Sequence, residues 1–134
     1  MENSTLRIID ANLNRLREGL RVVEDICRYI KNDKNISSKL KNLRHLSRID
    51  CYEELLNSRD IINDCLKQTT TSELNRENLD SILISNFKRA QESSRVLEEI
   101  TKLNLQNESA KFKNIRYELY DLEKEVMYKT SNSK

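Results

Sequence analysis

Two stretches decide the fold: NLNRLREGLRVVEDICR at residues 12–28 and NFKRAQESSRVLEEITK at residues 86–102. Aligned without gaps, they share Asn12/Asn86, Arg15/Arg89, Glu18/Glu92, Arg21/Arg95, Val22/Val96, Glu24/Glu98 and Ile26/Ile100. A second match follows each copy, SSKLKNLR at 37–44 and SAKFKNIR at 109–116. Residue 12 pairs with 86 but residue 37 with 109, so the connector in the first half is two residues longer. Each half reads as a long helix, a short loop and a second helix, which makes the chain a duplicated αα-hairpin.

Helix phasing agrees with this. At about 100° per residue, Ile9, Leu13, Leu16, Leu20, Val23, Ile26, Cys27 and Ile30 fall on one apolar arc, and Leu83, Phe87, Ala90, Leu97 and Ile100 on its counterpart. Phe112, Ile115, Leu119, Leu122 and Val126 recur every three or four residues, the seam of an antiparallel bundle. The second helix, from about Ser37, keeps phase through Leu40 and Leu43, then drifts over 47–51, where a bend or break is expected. Loops are expected at 32–35 and 105–107. Thr69–Asn78 reads as the linker, because β-branched residues and Asn disfavour helix. The expected architecture is all-α: one domain of 1–134, an antiparallel four-helix bundle with an extra short helix over about 50–64. Its repeat halves run over about 5–50 and 79–128, with a linker of about 67–78.

Composition narrows the function. The 134 residues contain one Gly, no Pro and no Trp. Phosphate-cradling loops need several glycines so that backbone N–H groups can approach a ligand, which removes the P-loop and the dinucleotide fingerprint. Tight hairpins need Gly or Asn-Gly, which argues against a β-sandwich or barrel. With 34% charged residues and a mean hydropathy of -0.78, the exterior is solvated. The signs are mixed and the net charge is only +2, so no broad positive field invites nucleic acid. No apolar run reaches about 18 residues and no charged-then-apolar leader is seen, so neither a membrane partner nor secretion is expected. Cys27, Cys51 and Cys65 lack C-x-x-C spacing, and His45 is the one imidazole. No metal site is therefore expected, and reduced thiols in a cytoplasmic protein are the simplest account.

The identities within the repeat are mostly polar, whereas a duplication kept for packing alone would need only its apolar positions. Asn12 and Asn86 fall within the apolar arcs, with Arg15/Glu18 and Arg89/Glu92 on the flank. These residues either form a satisfied polar layer at the pseudo-two-fold axis or line an anion site whose guanidiniums grip phosphate or carboxylate bidentately. Arg44 and Arg116, at matching places on the second helices, add two cations to the second alternative. His45 is a surface residue or a general acid–base. Asp60 and Asp64, four apart, share a face if helical and then need an Arg or Mg²⁺ between them; otherwise they belong to a solvated turn. The lone Gly19 lies on the polar side beside Glu18, aligned with Ser93, where a backbone or a ligand can approach closely. The five Tyr and two Phe read as core and interface.

The motif D-A-N-L-N-R-x-R-E-G-L-R-V-x-E-D at 10–25 resembles the helical domain found N-terminal to thiamine-phosphate synthase in some bacteria. L-R-H (43–45), R-D-x-x-x-D (59–64), N-x-x-R-x-x-E-x-x-R-V-L-E-E (86–99) and R-Y-E-L-Y-D-L-E (116–123) match it in order, over about residues 7–124. The resemblance implies the hydroxymethylpyrimidine-phosphate step of thiamine biosynthesis, through a non-homologous pyrimidine kinase or an accessory to the synthase. Carried over by position, it marks Asp60, Asp64 and His45 as candidate catalytic residues. Asn12, Arg15, Glu18, Arg44, Arg59, Asn86, Arg89, Glu92 and Arg116 are its candidate binding residues. After Asp64 the family has a Gly-containing turn, where this chain has the stiffer Cys65-Leu66-Lys67. No synthase barrel lies within the 134 residues, so the chain is a stand-alone version or an excised domain.

Three functions follow as alternatives. A kinase would use ATP and Mg²⁺, with side chains alone holding the nucleotide phosphates. A binding module would hold a small phosphorylated pyrimidine or dock on thiamine-phosphate synthase without chemistry. A scaffold would form a homodimer through an exposed apolar stripe.

Overall fold

The computed structural model describes residues 1–68 and 75–132. Every regular element among them is helical. Helix α1 spans Asn3–Asp25 and runs into a widened turn, Ile26–Ile30, in which the Lys31 N–H donates five residues back to the Ile26 carbonyl at 3.1 Å. Asn32 takes a left-handed φ of 52°, a conformation that Asn tolerates better than most residues. Asp33 then caps α2 (Lys34–Leu46), its Oδ1 accepting from the Ile36 N–H at 3.0 Å. Helix α3 covers Tyr52–Ser58. Helix α4 (Leu79–Ile100) starts at Asn78, whose Oδ1 accepts from the Ser81 N–H at 2.9 Å, and α5 covers Gln106–Asn132.

The chain is an antiparallel four-helix bundle with α3 as the extra short helix. α1 packs chiefly on α4 and also carries α2 and α3; α4 packs on α5, and α2 meets α5 only lightly. Ile9, Leu16, Leu20, Leu40, Leu83, Phe87, Leu97, Phe112 and Leu119 are fully buried where these helices meet. Each such side chain contributes roughly 1.5–3 kcal/mol relative to exposure.

Several boundaries depart from the sequence expectation. α2 begins three residues before Ser37, because Asp33 supplies a cap upstream of the apolar pattern. The break over 47–51 is present: α2 ends at Leu46, and the Ser47 hydroxyl donates back to the Leu43 carbonyl at 2.6 Å. The second hairpin loop lies over 101–105 rather than 105–107. The short helix stops at Ser58, so Asp60 and Asp64 sit in turns and not on a shared helical face. Residues 69–74 of the expected linker lie outside the described residues.

Ile30 was expected in the core but is 58% exposed, since the widened turn before it advances the helical phase. Phe87 and Phe112 are buried, yet all five tyrosines are exposed, so only the two Phe are core aromatics.

Gly19 is buried, not on a polar surface. A Cβ there would stand 3.0 Å from the Asn86 carbonyl oxygen and 3.5 Å from Ala90 Cβ. Glycine therefore sets the close approach of α1 and α4. Its counterpart Ser93 is buried as well, with its hydroxyl directed to the Arg89 and Ala90 carbonyls at 2.7 and 3.1 Å. The near approach at Gly19 is helix against helix, and neither position offers a ligand contact.

Candidate functional site

A groove of about 520 Å³ runs between the N-terminal half of α1 and the turn segment after α3. α1 supplies Arg7, Ile8, Asp10, Asn12 and Arg15, and the segment supplies Arg59, Asp60, Ile61 and Asp64. The organising contact is Asp10 with Arg59. Asp10 is only 7% exposed, and its two carboxylate oxygens accept from Arg59 Nε and Nη2, both at 2.8 Å. This two-point clamp pins the segment to α1 across 49 residues of sequence. It also raises the Arg59 pKa above its ordinary value, so the guanidinium stays charged.

Arg7 adds a second tie, its Nη2 donating to the Asp60 carbonyl at 3.2 Å. The Asp60 carboxylate folds back on its own turn. Oδ1 accepts from the Ile62 and Asn63 N–H groups at 3.1 Å each, and Oδ2 from Asn63 Nδ2 at 2.6 Å. The Asn63 amide and then its backbone N–H hold Asp60 below the usual carboxylate range. Asp64 Oδ1 accepts from the Leu66 N–H at 3.0 Å.

Asn12 is 4% exposed. Its amide donates to the Ile8 carbonyl at 2.9 Å, and its Oδ1 accepts a long 3.4 Å bond from Arg15 Nη1. Arg15 therefore pairs with Asn12 and not with Glu18, and remains exposed over the groove. Asn86 repeats the first bond, donating to the Ile82 carbonyl at 2.8 Å. Both Asn amide groups thus donate within their own helices rather than across the pseudo-two-fold axis.

Arg44 and Arg116 are occupied in equivalent ways. Arg44 meets the buried Glu24 through Nε at 2.7 Å and Nη2 at 3.3 Å, and Arg116 meets the buried Glu98 at 3.3 and 2.8 Å. The Glu24 hydrogen bond raises the Arg44 pKa; the Tyr120 hydroxyl and then Glu98 do the same for Arg116. Each pair staples the second helix of a half to its first helix.

Of the residues singled out from sequence, the groove gathers Asn12, Arg15, Arg59, Asp60 and Asp64. Glu18, Arg44, His45, Asn86, Arg89, Glu92 and Arg116 lie outside it. Glu18 edges a shallow depression with Arg17, Arg21 and Arg44. Glu92 edges the aligned depression with Lys88, Arg95 and Tyr120. His45 and Arg89 are exposed. Sequence reasoning missed Asp10 and Arg7. Asp10 stood within the quoted D-A-N motif, but no local spacing links it to Arg59.

With this geometry in place, a family model described as the ThiD2 family matches residues 7–125. The chain belongs to the ThiD2 family. Its match includes every candidate residue named above. The ThiD2 chain is 39% identical over 122 residues to a thiamine-phosphate synthase of Prochlorococcus marinus (strain AS9601), covering 90% of this chain and 35% of the relative. A thiamine-phosphate synthase of Thermosynechococcus vestitus (strain NIES-2133 / IAM M-273 / BP-1) is 41% identical over 118 residues, covering 87% and 34%. One from Synechocystis sp. (strain ATCC 27184 / PCC 6803 / Kazusa) is 40% identical over 118 residues, again covering 87% and 34%. The ThiD2 chain thus spans about a third of the length of the curated relatives it matches. No solved structure gives a significant match. Among the described residues, no group of three His, Cys, Asp or Glu side chains is placed to hold a metal ion, and no helix is long and apolar enough to cross a membrane.

Proposed function

We propose that the chain binds hydroxymethylpyrimidine phosphate in the α1 groove, at that step of thiamine biosynthesis. The observation that carries this is the assembly of Arg15, Arg59, Asp60 and Asp64, distant in sequence, around a single groove. Its size of about 520 Å³ falls within the roughly 300–1,000 Å³ range of small-molecule sites. The relatives' name, thiamine-phosphate synthase, supports the choice of ligand.

Arg15, restrained only by the long Asn12 bond, is the open cation for the phosphate. Asn12 is a positioning residue that holds Arg15 over the groove. Arg59, held in place and charge-matched by Asp10, offers the N–H groups of its Nη1 as hydrogen-bond donors at the groove wall. Ile8, Ala11 and Ile61 offer apolar surface to the pyrimidine ring. Asp64 has one carboxylate oxygen not engaged by the Leu66 N–H, an acceptor for the ring's amino group.

Mg²⁺ bound with phosphates asks for one or two carboxylates with free oxygens; both Asp60 oxygens face N–H donors, which leaves the unengaged Asp64 oxygen as the one candidate ligand of this turn. The proposal is binding, without a transfer step. Calorimetry with hydroxymethylpyrimidine phosphate is expected to give saturable binding that weakens tenfold or more in Arg15→Gln; unchanged affinity in that variant would refute the assignment. Conversion of hydroxymethylpyrimidine phosphate to its diphosphate, with matching ADP, in the presence of ATP and Mg²⁺ would add phosphoryl transfer.

A second reading, docking on thiamine-phosphate synthase, is favoured by one observation: about two thirds of each relative lies outside the matched region. Co-sedimentation with a synthase barrel tests it, and two independent boundaries would reject it.

A further inference from the structure

Where the connectors of the two halves differ in length, a groove lies open. In the second half, the Ser109 hydroxyl donates to the Glu98 carbonyl at 2.8 Å. Its aligned counterpart, Ser37, is 8% exposed, and its hydroxyl has no hydrogen-bond partner among the described residues. Buried hydroxyls without partners are rare enough to need an explanation. The first half also carries the two-residue-longer connection, the widened turn Ile26–Ile30 and the left-handed Asn32. Widened turns of this kind are frequent at functional sites.

At this spot lies a groove of about 300 Å³, with Ser37 and Ser38 in its wall. Three exposed cations surround it, Arg28, Lys34 and Lys41, and none of them forms an ion pair among the described residues. The acids beside it are already matched. Glu24 is held by Arg44, and Asp33 caps the Ile36 N–H and meets Lys129 at 3.0 Å. The uncompensated charge is therefore positive, next to hydroxyl donors.

We propose that this groove is a second binding site, for a phosphate group, with Arg28, Lys34 and Lys41 supplying charge and Ser37 and Ser38 supplying hydroxyl donors. The Ser37 oxygen is closed off from solvent as it stands; a rotation about its Cα–Cβ bond that brings the hydroxyl to the groove gives it, in a bound oxyanion, the acceptor it lacks. The two grooves share no lining residue, and nine residues of α1 separate Arg15 at the edge of the first from Glu24 at the edge of this one, about 14 Å at 1.5 Å per residue, so the site is distinct from the α1 groove.

Amide NMR of the intact chain, titrated with inorganic phosphate at constant ionic strength, tests this. Saturating shifts are expected at the Ser37, Ser38 and Lys41 amides, with a midpoint raised about tenfold in Lys41→Gln and in Arg28→Gln. Ser37→Ala is expected to weaken binding, while Arg15→Gln leaves these shifts unchanged. Phenyl phosphate in parallel tells an esterified phosphate from the free anion; the tighter ligand names the source, and either one upholds the site. Shifts that sodium chloride reproduces, or saturating shifts that ignore Lys41→Gln and Arg28→Gln, would overturn it. A failure of the α1 groove would appear separately, as pyrimidine-phosphate binding insensitive to Arg15.

Discussion

Replacing Glu24 by Gln tests what holds each hairpin together. The Glu24 side chain is 2% exposed and Arg44 is 15% exposed, and two nitrogens of Arg44 face the two carboxylate oxygens. Glu24→Gln keeps the volume but removes the charge and turns one acceptor into a donor aimed at the guanidinium. Breaking a buried pair from one side costs about 3–5 kcal/mol, because the remaining charge is left uncompensated. The residual exposure of Arg44 places the expected loss at the lower end, about 3 kcal/mol. Set against a total stability of roughly 5–15 kcal/mol, that is a large fraction, and it shifts the melting temperature by about 10 °C. Urea unfolding measures it. Glu98→Gln should cost a similar amount, since Arg116 meets the buried Glu98 through two nitrogens, both on Oε1, while Arg95 takes Oε2. Arg21→Gln, which touches only the exposed 3.5 Å pair with Asp25, should change stability by less than about 0.5 kcal/mol. A Glu24→Gln loss as small as that of Arg21→Gln would refute the reasoning.

Further outcomes follow from other contacts. Gly19→Ala gains about 1 kcal/mol of helix propensity, but the Asn86 carbonyl at 3.0 Å cannot give way cheaply. A net destabilisation of about 1 kcal/mol is expected from overpacking of roughly 1–3 kcal/mol, read by chemical denaturation. Burial pushes the Cys27 thiol up to about 11, so a disulfide reagent at pH 8 should label the exposed Cys65 rapidly and Cys27 only as the chain unfolds. Asp33 is held below its ordinary value by the Ile36 N–H, and Asp60 by Asn63. A depressed carboxylate stabilises the fold above its unfolded pKa and loses that contribution as pH falls through the lowered folded value. The urea midpoint should therefore fall below about pH 4, and Asp33→Asn should flatten that fall.

The fold was legible because its signals are periodic and local. The apolar arcs ending at Cys27, Leu97 and Val126 sit where 3.6-residue phasing puts them, and the likeness of residues 12–28 to 86–102 gave that signal twice. Ile30 was misplaced because a widened turn resets the phase without altering composition. The site was legible only in part. The Glu24–Arg44 and Glu98–Arg116 pairs were readable in principle, since all four residues are identities of the repeat. Asp10–Arg59 was not, because neither residue has a repeat counterpart of its kind, and pairing across 49 residues leaves no local pattern. The Ser37 groove was hidden for a related reason. It lies at the connector that is two residues longer in the first half, so a comparison built on likeness passes over it.

The central claim is that the α1 groove takes a pyrimidine phosphate through Arg15. The direct measurement is calorimetric titration of hydroxymethylpyrimidine phosphate into the chain and its Arg15→Gln variant at one salt concentration. Removing one charge-assisted contact of about 1.5–3 kcal/mol should weaken binding tenfold or more. Equal affinity in the two proteins, or no binding to either, would contradict it.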